Sequence, residues 1–491
     1  MRRLFAWLGI ALAVLIGAVA IKTLLTPSRQ LTVAPAPKFA VDAAAAAARL
    51  GAAVRFKTVP TLDAVQPAAA EFQALQAHLL ASFPKVHAQL QREVVGGLTL
   101  VYTWPGSDPK APGIGLLAHQ DVAPIAPGTE GDWKQPPFSG AVADGFVWGR
   151  GAWDNKGNLM SMLEAVEGLL GAGFQPRQSV TLVFGHDEEV GGVHGAMQVA
   201  RLFNERGLRF DFMVDEGLVI IDGVLKGLTR PAALVGLAEK GFVTLELTAS
   251  ATPGHSSMPP TQPGQSAIGM LSAALTRLEQ QPMAASIDGV PRQMFEALAP
   301  EMNVLNRVLL SNLWLLQPIV QHELLKAPSS AATLRTTTAL TIFNAGNVEN
   351  VMPGRAKASV NFRIVPGDTS DAVVAHVMKV IDNPAITIAK APWVSEASRV
   401  APVDANGYRT IEKTLRQLFP ELVVAPGVML GGTDSRHFEG VADTIYKFSP
   451  VRATSEDLKR FHGTNERISI ANYVEMIQFY HQLIVNTVPA P

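Results

Sequence analysis

The sequence predicts an α/β protein: a mixed, largely parallel sheet flanked by helices, into which a smaller α+β unit is inserted. Three observations lead there. At 491 residues the chain is about three times an ordinary single domain, so it holds two domains or one domain with a large insertion. Apolar runs of strand length alternate with helical stripes between residues 98 and 214, the pattern of a sheet with a substantial parallel part. Past Val235 the texture becomes that of alternating strands, and it reverts near residue 396.

Taken in order, Met1-Arg2-Arg3 precedes an apolar run over residues 4–21, followed by Lys22 and a Pro-rich stretch. Residues 1–25 read as a targeting segment and residues 26–40 as a linker. The run of about 18 residues sits at the lower limit for a spanning helix, while Ala18-Val19-Ala20 offers a signal-peptidase site. A retained signal anchor and a cleaved signal peptide both export the rest. With Arg2 and Arg3 inside, residue 23 onward lies outside the cytoplasmic membrane, anchored, or secreted or periplasmic after cleavage.

Residues 41–239 form the first part of the larger unit. Helices are expected at 41–50, 69–82, 159–170 and 193–205, and strands at 98–103, 113–118, 180–184 and 210–214. Residues 240–395 form the insertion, with strands at 243–250, 336–342 and 358–364 and helices at 266–280, 302–324 and 369–381. Residues 396–491 complete the larger unit.

Composition removes several function classes. Hydrophobic residues make up 48% and charged residues 17% of the chain, which excludes a disordered or low-complexity protein. Lys plus Arg (41) nearly balance Asp plus Glu (42), so no basic field exists to hold nucleic acid. There is no cysteine. Disulfides, thiolate zinc sites, iron–sulfur clusters and cysteine nucleophiles are therefore absent, and any metal is held by His, Asp and Glu.

Four apolar runs end in metal-capable residues: Gly115-Leu-Leu-Ala-His119-Gln-Asp121, Trp148-Gly-Arg-Gly-Ala-Trp-Asp154, Phe184-Gly-His-Asp-Glu188-Glu189 and Phe212-Met-Val-Asp215-Glu216. His462 follows near the end. Each motif alone has a bland reading, as a loop histidine, a solvated Glu pair, an Asx-turn or a helix start. Converging carboxylates at the ends of apolar strands, however, are desolvated and repel one another, and a pair of divalent ions removes both costs. Zinc accepts this mixture of imidazole and carboxylate, and one carboxylate can bridge two ions. The pair Glu188-Glu189 then divides the work, one binding metal and the other taking a proton from water.

These motifs, with Gly432-Thr-Asp-Ser-Arg-His437 and His462-Gly-Thr-Asn-Glu-Arg467, resemble the di-zinc exopeptidase and amidohydrolase family that contains carboxypeptidase S and the aminoacylases. The likeness runs from about residue 45 to the C-terminus and is nearest the carboxypeptidase S and N-fatty-acyl-amino-acid hydrolase/synthase branch. It implies two Zn2+ ions, with Co2+ or Mn2+ as substitutes in vitro. His119 and Asp215 would hold one ion, Glu189 and His462 the other, and Asp154 would bridge them. Glu188 would be the general base and acid, with Asp121 orienting His119. The Asp154–Asn155 peptide would be cis. The insertion resembles the family's lid, where His255 would stabilise an oxyanion. Asn350 and Arg363 would grip the substrate's free carboxylate, and Arg436 would shape the same pocket. Lids in the family often pair as homodimers and share the histidine matching His255, so a homodimer through the lid is expected, the alternative being that the long 302–324 piece covers that surface instead.

The expected function is hydrolysis of an amide bond next to a free α-carboxylate, in an N-acyl amino acid, a dipeptide or a small peptide. The alternatives are a catalytically silent extracytoplasmic binding protein and an anchored interaction protein. Filled ligand positions and Glu188 speak against both. Serine-hydrolase and nucleotide-hydrolase motifs are missing.

Overall fold

In the strand Gly113–His119 every position is buried, which is how a strand covered on both faces of a parallel sheet is built. Its side chains divide by parity: Ile114 and Leu116 join one apolar core, and Leu117 joins the other. The computed structural model describes residues 1–61, 69–262 and 264–487. Eight strands make the large sheet, in the order Gln91–Val95, Thr99–Trp104, Val180–Gly185, Gly113–His119, Phe210–Ile221, Ala442–Ala453, Ala232–Glu239 and Val423–Met429. The central pairings are parallel, and those of the first three strands are antiparallel.

Helices cover both faces. Ala43–Val54, Lys156–Gly171, Asn406–Leu418 and Ile470–Asn486 lie over the larger core, and Ala196–Glu205 covers the other face through Val199 and Phe203. Consequently Gly113–His119 and Val180–Gly185, running parallel, deliver His119 and the Glu188-Glu189 pair to one end of the sheet. Such loops past the carboxyl ends of strands are where sites form in this architecture.

A second, antiparallel sheet orders Thr337–Ala345, Arg355–Ile364, Gly241–Ser250 and Ile386–Ser395. With the helices Ala267–Gln280 and Ser370–Ile381 it encloses its own core, including Val243, Leu271, Phe362 and Val377. Part of the expected insertion does not join that core. Val290, Ala297 and Leu298 pack in the large core instead, with Val290–Leu298 lying against Val423–Met429. The single helix expected over residues 302–324 is broken at Asn312 into Val304–Ser311 and Leu313–Leu324. There the backbone leaves helical geometry and the Asn312 amide donates to the Val308 carbonyl at 2.9 Å.

The helix Arg2–Leu25 is apolar and exposed except at half-buried Gly17 and Val19 and buried Thr23. Among the described residues it is the one helix long and apolar enough to cross a membrane.

Candidate active site

His119 ends its strand fully buried. Its Nδ1 lies 2.9 Å from the carbonyl of Asp121, which fixes the ring and turns Nε2 the other way. Nε2 stands 3.1 Å from Oδ1 of Asp154 and 3.2 Å from Oε1 of Glu216. The other oxygen of Asp154 lies 2.8 Å from Nε2 of His462, and that nitrogen is 3.5 Å from Oε1 of Glu189. Two donor sets therefore share Asp154: His119, Asp154 and Glu216, and Asp154, Glu189 and His462, with the atoms of each set within 4.8 Å of one another.

The Asp154 loop is held from outside. Buried Glu466 accepts the backbone N–H groups of Gly151, Trp153 and Asp154 on one oxygen at 2.9–3.0 Å. Its other oxygen meets Arg150 Nη1 at 2.5 Å. The Asp154–Asn155 peptide is cis, as expected. Asp121 accepts the Glu189 N–H at 3.0 Å, so one residue positions both the His119 ring and the Glu189 backbone.

Electrostatics follow from burial. Burial works against charge on His119, but Glu216 and Asp121 outweigh it and hold the imidazole well above its usual pKa. The His462 pKa is raised to about 10, first by its hydrogen bond with Asp154 and then by Glu189. Burial opposes ionisation of Asp154, yet the two histidines hold its carboxyl well below the usual range. Glu216 is pushed up to about 8 by burial and then by the charge of Asp154. Glu188 is held well above the usual carboxylate value, chiefly by burial, with Glu216, Asp434 and Glu189 adding repulsion. A carboxylate raised in this way is suited to exchange a proton near neutral pH.

A cavity of about 550 Å³ opens on these groups. Asp154, Glu188, Glu189, Glu216 and His462 line its floor, Arg363 and Arg436 one side, and Trp153, Phe242, Trp393, Met429 and Phe461 an apolar wall. The Arg363 guanidinium lies 5.6 Å from the Phe242 ring centre. The ring face attracts the cation and helps to hold it beside the cavity.

Several sequence expectations are corrected. Asp215 was expected beside His119, but its carboxylate accepts the N–H groups of Glu216 and Ser435 at 2.8 Å each, and Glu216 faces His119. The reason is a register break: Asp215 pairs with Lys447, and the next pair is Leu218 with Phe448. Glu216 and Gly217, the latter at φ 147°, form a bulge that re-aims the side chain. His255 was expected over the reacting centre and Asn350 on the carboxylate, and neither lines the cavity. Gly254–His255 pairs with Val351–Met352 as a two-stranded ribbon, with exposed His255 bound to Ser257 Oγ at 2.8 Å. Exposed Asn350 meets that ribbon through its carbonyl, which accepts the Ser256 N–H at 3.0 Å. His437 turns to the Gly191 carbonyl at 3.1 Å. Sequence reasoning missed Glu216, Glu466 and the apolar wall. Glu216 and Glu466 stand within quoted motifs, whereas the wall is gathered from distant segments.

The donor set fits divalent metal. His119 donates through Nδ1, so Nε2 of the neutral ring offers a lone pair toward two carboxylate oxygens, an arrangement that needs a cation or a proton between them. Glu189 Oε1 is buried without a hydrogen-bond partner. Nitrogen and carboxylate oxygen without sulfur is a zinc-type set.

A doubly covered sheet that brings two such sets together beside a free glutamate defines a class: a metal-dependent hydrolase of amide bonds. The comparisons place the chain within it. Residues 115–486 match the model of peptidase family M20/M25/M40, and the chain belongs to that family. It is 40% identical over 449 residues to a probable carboxypeptidase S-like 2 of Dictyostelium discoideum, covering 90% of this chain and 85% of that one. It is 42% identical over 412 residues to the N-fatty-acyl-amino acid synthase/hydrolase PM20D1 of Xenopus tropicalis, covering 82% and 78%. In fold it is similar to the M20 family metallo-carboxypeptidase Sso-CP2 from Sulfolobus solfataricus, with a TM-score of 0.63 at 19% identity over 89% and 99% of the two chains.

Proposed function

We propose that the chain is an extracytoplasmic di-metal hydrolase that cleaves the amide bond next to a free α-carboxylate, with N-acyl amino acids as substrates ahead of small peptides. The observation that carries this reading is one cavity in which both donor sets, Glu188, two arginines and an apolar wall meet. Relatives named for N-fatty-acyl amino acids and for carboxypeptidase S support the same two substrate classes.

His119, Asp154 and Glu216 would hold one ion, and Asp154, Glu189 and His462 the other, two Zn2+ being the natural occupants. Bound there, the ions supply Lewis acidity to the scissile carbonyl and lower the pKa of the attacking water. Glu188 takes the proton from that water and returns it to the departing amine. Arg363, with Arg436 nearby, fixes the carboxylate end through charge-assisted hydrogen bonds. The acyl chain lies along Trp393, Phe242, Met429 and Phe461, whose burial of apolar surface favours long chains over short ones. Asp121 holds the His119 ring in the orientation that presents Nε2.

The second sheet with its helices acts as a lid. His255 and Asn350 reach a site only through lid movement or a second chain. A homodimer through the lid is part of this reading, because Thr337–Ala345 is an edge strand with Leu340, Ile342 and Phe343 exposed. Helix Arg2–Leu25 is read as a retained membrane anchor.

The test is release of free amine from matched panels of N-acyl amino acids, their methyl esters and dipeptides. The reading expects turnover of the free acids, rising with acyl length, and little of the esters. Equal turnover of acids and esters contradicts it.

A further inference from the structure

The piece between the lid helix Ala267–Gln280 and the lid strand Thr337–Ala345 carries an apolar surface that the hydrolase does not use. Residues 302–322 contain no Asp or Glu, and Arg307 is their one Lys or Arg. On Leu313–Leu324, Trp314, Leu315, Pro318 and Ile319 are exposed, spaced as one helical stripe. Leu313 and Val320, on the same helix, are buried. On the preceding helix Val304 is 79% exposed and Leu305 68%. A solvated surface helix would carry charge at such positions.

The same two helices grip the end of Arg2–Leu25. Asn312 Nδ2 donates to Thr23 Oγ1 at 2.8 Å and to the Val19 carbonyl at 3.4 Å. Arg307 donates to the carbonyls of Thr23 and Thr26 at 3.3 and 3.0 Å, occupying helix C-terminal acceptors that have no partner within the helix. Lys22 Nζ lies 6.0 Å from the centre of the Trp314 ring. Lysine beside tryptophan is the pairing found where a bilayer meets water.

We infer that the hairpin Val304–Ser311 and Leu313–Leu324 is a second membrane element. It lies in the outer interface of the bilayer that Arg2–Leu25 crosses and seats the catalytic body on the lipid. The depth agrees: Val19 is about 4.5 Å along the axis before Lys22, so Asn312 stands at the hydrocarbon edge, within the roughly 5–10 Å that interfacial helices penetrate. Lipid is favoured over a second copy because the stripe meets an anchor whose exposed Leu24 and Leu25 already require an apolar surrounding. The grip runs from Val19, inside the small-residue motif Ala18-Val19-Ala20, to Thr26, and cleavage after Ala20 would remove its Val19 end. The inference rests on the anchor reading.

The absence of cysteine makes the test direct. The full chain carrying a nitroxide at Leu305→Cys or Ile319→Cys is reconstituted in phosphatidylcholine–phosphatidylglycerol vesicles. Collision with oxygen is compared with collision with a water-soluble nickel chelate. Leu12→Cys in the anchor and Asp371→Cys, at an exposed position of the lid helix Ser370–Ile381, serve as references. Labels at 305 and 319 are expected to prefer oxygen several-fold over the Asp371→Cys label. Water-like labels there beside a lipid-like label at 12 overturn the inference and leave the anchor standing. A water-like label at 12 overturns both. Spin–spin broadening at 305 that disappears on dilution with unlabelled chain shows that a second copy covers the patch, and also overturns it.

Discussion

Glu216 Oε1 lies 3.2 Å from His119 Nε2, although the family resemblance puts forward its neighbour Asp215. The two side chains have opposite duties. Glu216 faces the shared centre, and Asp215 ties its strand to the Thr433-Asp434-Ser435 turn through the Ser435 N–H.

This predicts a separation of phenotypes. Glu216→Gln weakens zinc binding by about 10–100-fold or more, because it removes a charged donor. Asp215→Asn keeps most of the metal affinity and lowers stability, since a buried acceptor is altered. Zinc titration against a competing chelator, with urea unfolding alongside, distinguishes them; reversed phenotypes contradict the assignment.

The Arg150–Glu466 pair is fully buried and shapes the loop that presents Asp154. Glu466→Gln leaves Arg150 charged without its partner, a change that costs about 3–5 kcal/mol in buried pairs. Denaturant unfolding measures the loss directly, and a change below about 1 kcal/mol would show that the loop is held by other means.

Arg363→Ala raises KM for free-carboxylate substrates by about 10–100-fold, the worth of a charge-assisted hydrogen bond. It leaves the slow turnover of methyl esters nearly unchanged. A uniform loss on both would place Arg363 elsewhere than on the carboxylate.

His437 gives a pH signature. Burial, then the Arg436 charge, lowers its pKa to about 4 from 6.5. Below pH 6.5 the unfolded chain takes the proton first, so the stabilisation is present above that pH and is lost as pH falls toward 4. In metal-free protein, unfolding midpoints at pH 7 and pH 5 differ more for wild type than for His437→Gln. Equal differences contradict the role given to this ring.

The fold was legible where burial writes itself into composition. Gly113–His119 and Val180–Gly185 read as continuous apolar runs because both faces are covered, and their ends locate His119 and Glu188. What lay beyond the sequence depends on register and reach. The bulge at Glu216 and Gly217 is set by how Phe210–Ile221 pairs with Ala442–Ala453, a partner more than two hundred residues away in the chain. The ribbon at His255 is recognisable as a motif, yet no local pattern tells how far it stands from the cavity. The apolar wall joins Phe242, Trp393, Met429 and Phe461, four residues from four segments, and only the folded chain collects them.

In the function proposed above, Glu188 moves the proton beside the two donor sets that share Asp154, which would hold two metal ions. Metal content and amine-release rate, measured together on wild type and Glu188→Gln, test it most directly. The prediction is about two zinc ions per chain in both proteins, with turnover reduced about 10²–10⁴-fold or more in the variant. Undiminished turnover in Glu188→Gln, or an active wild-type chain that holds no metal, would contradict it.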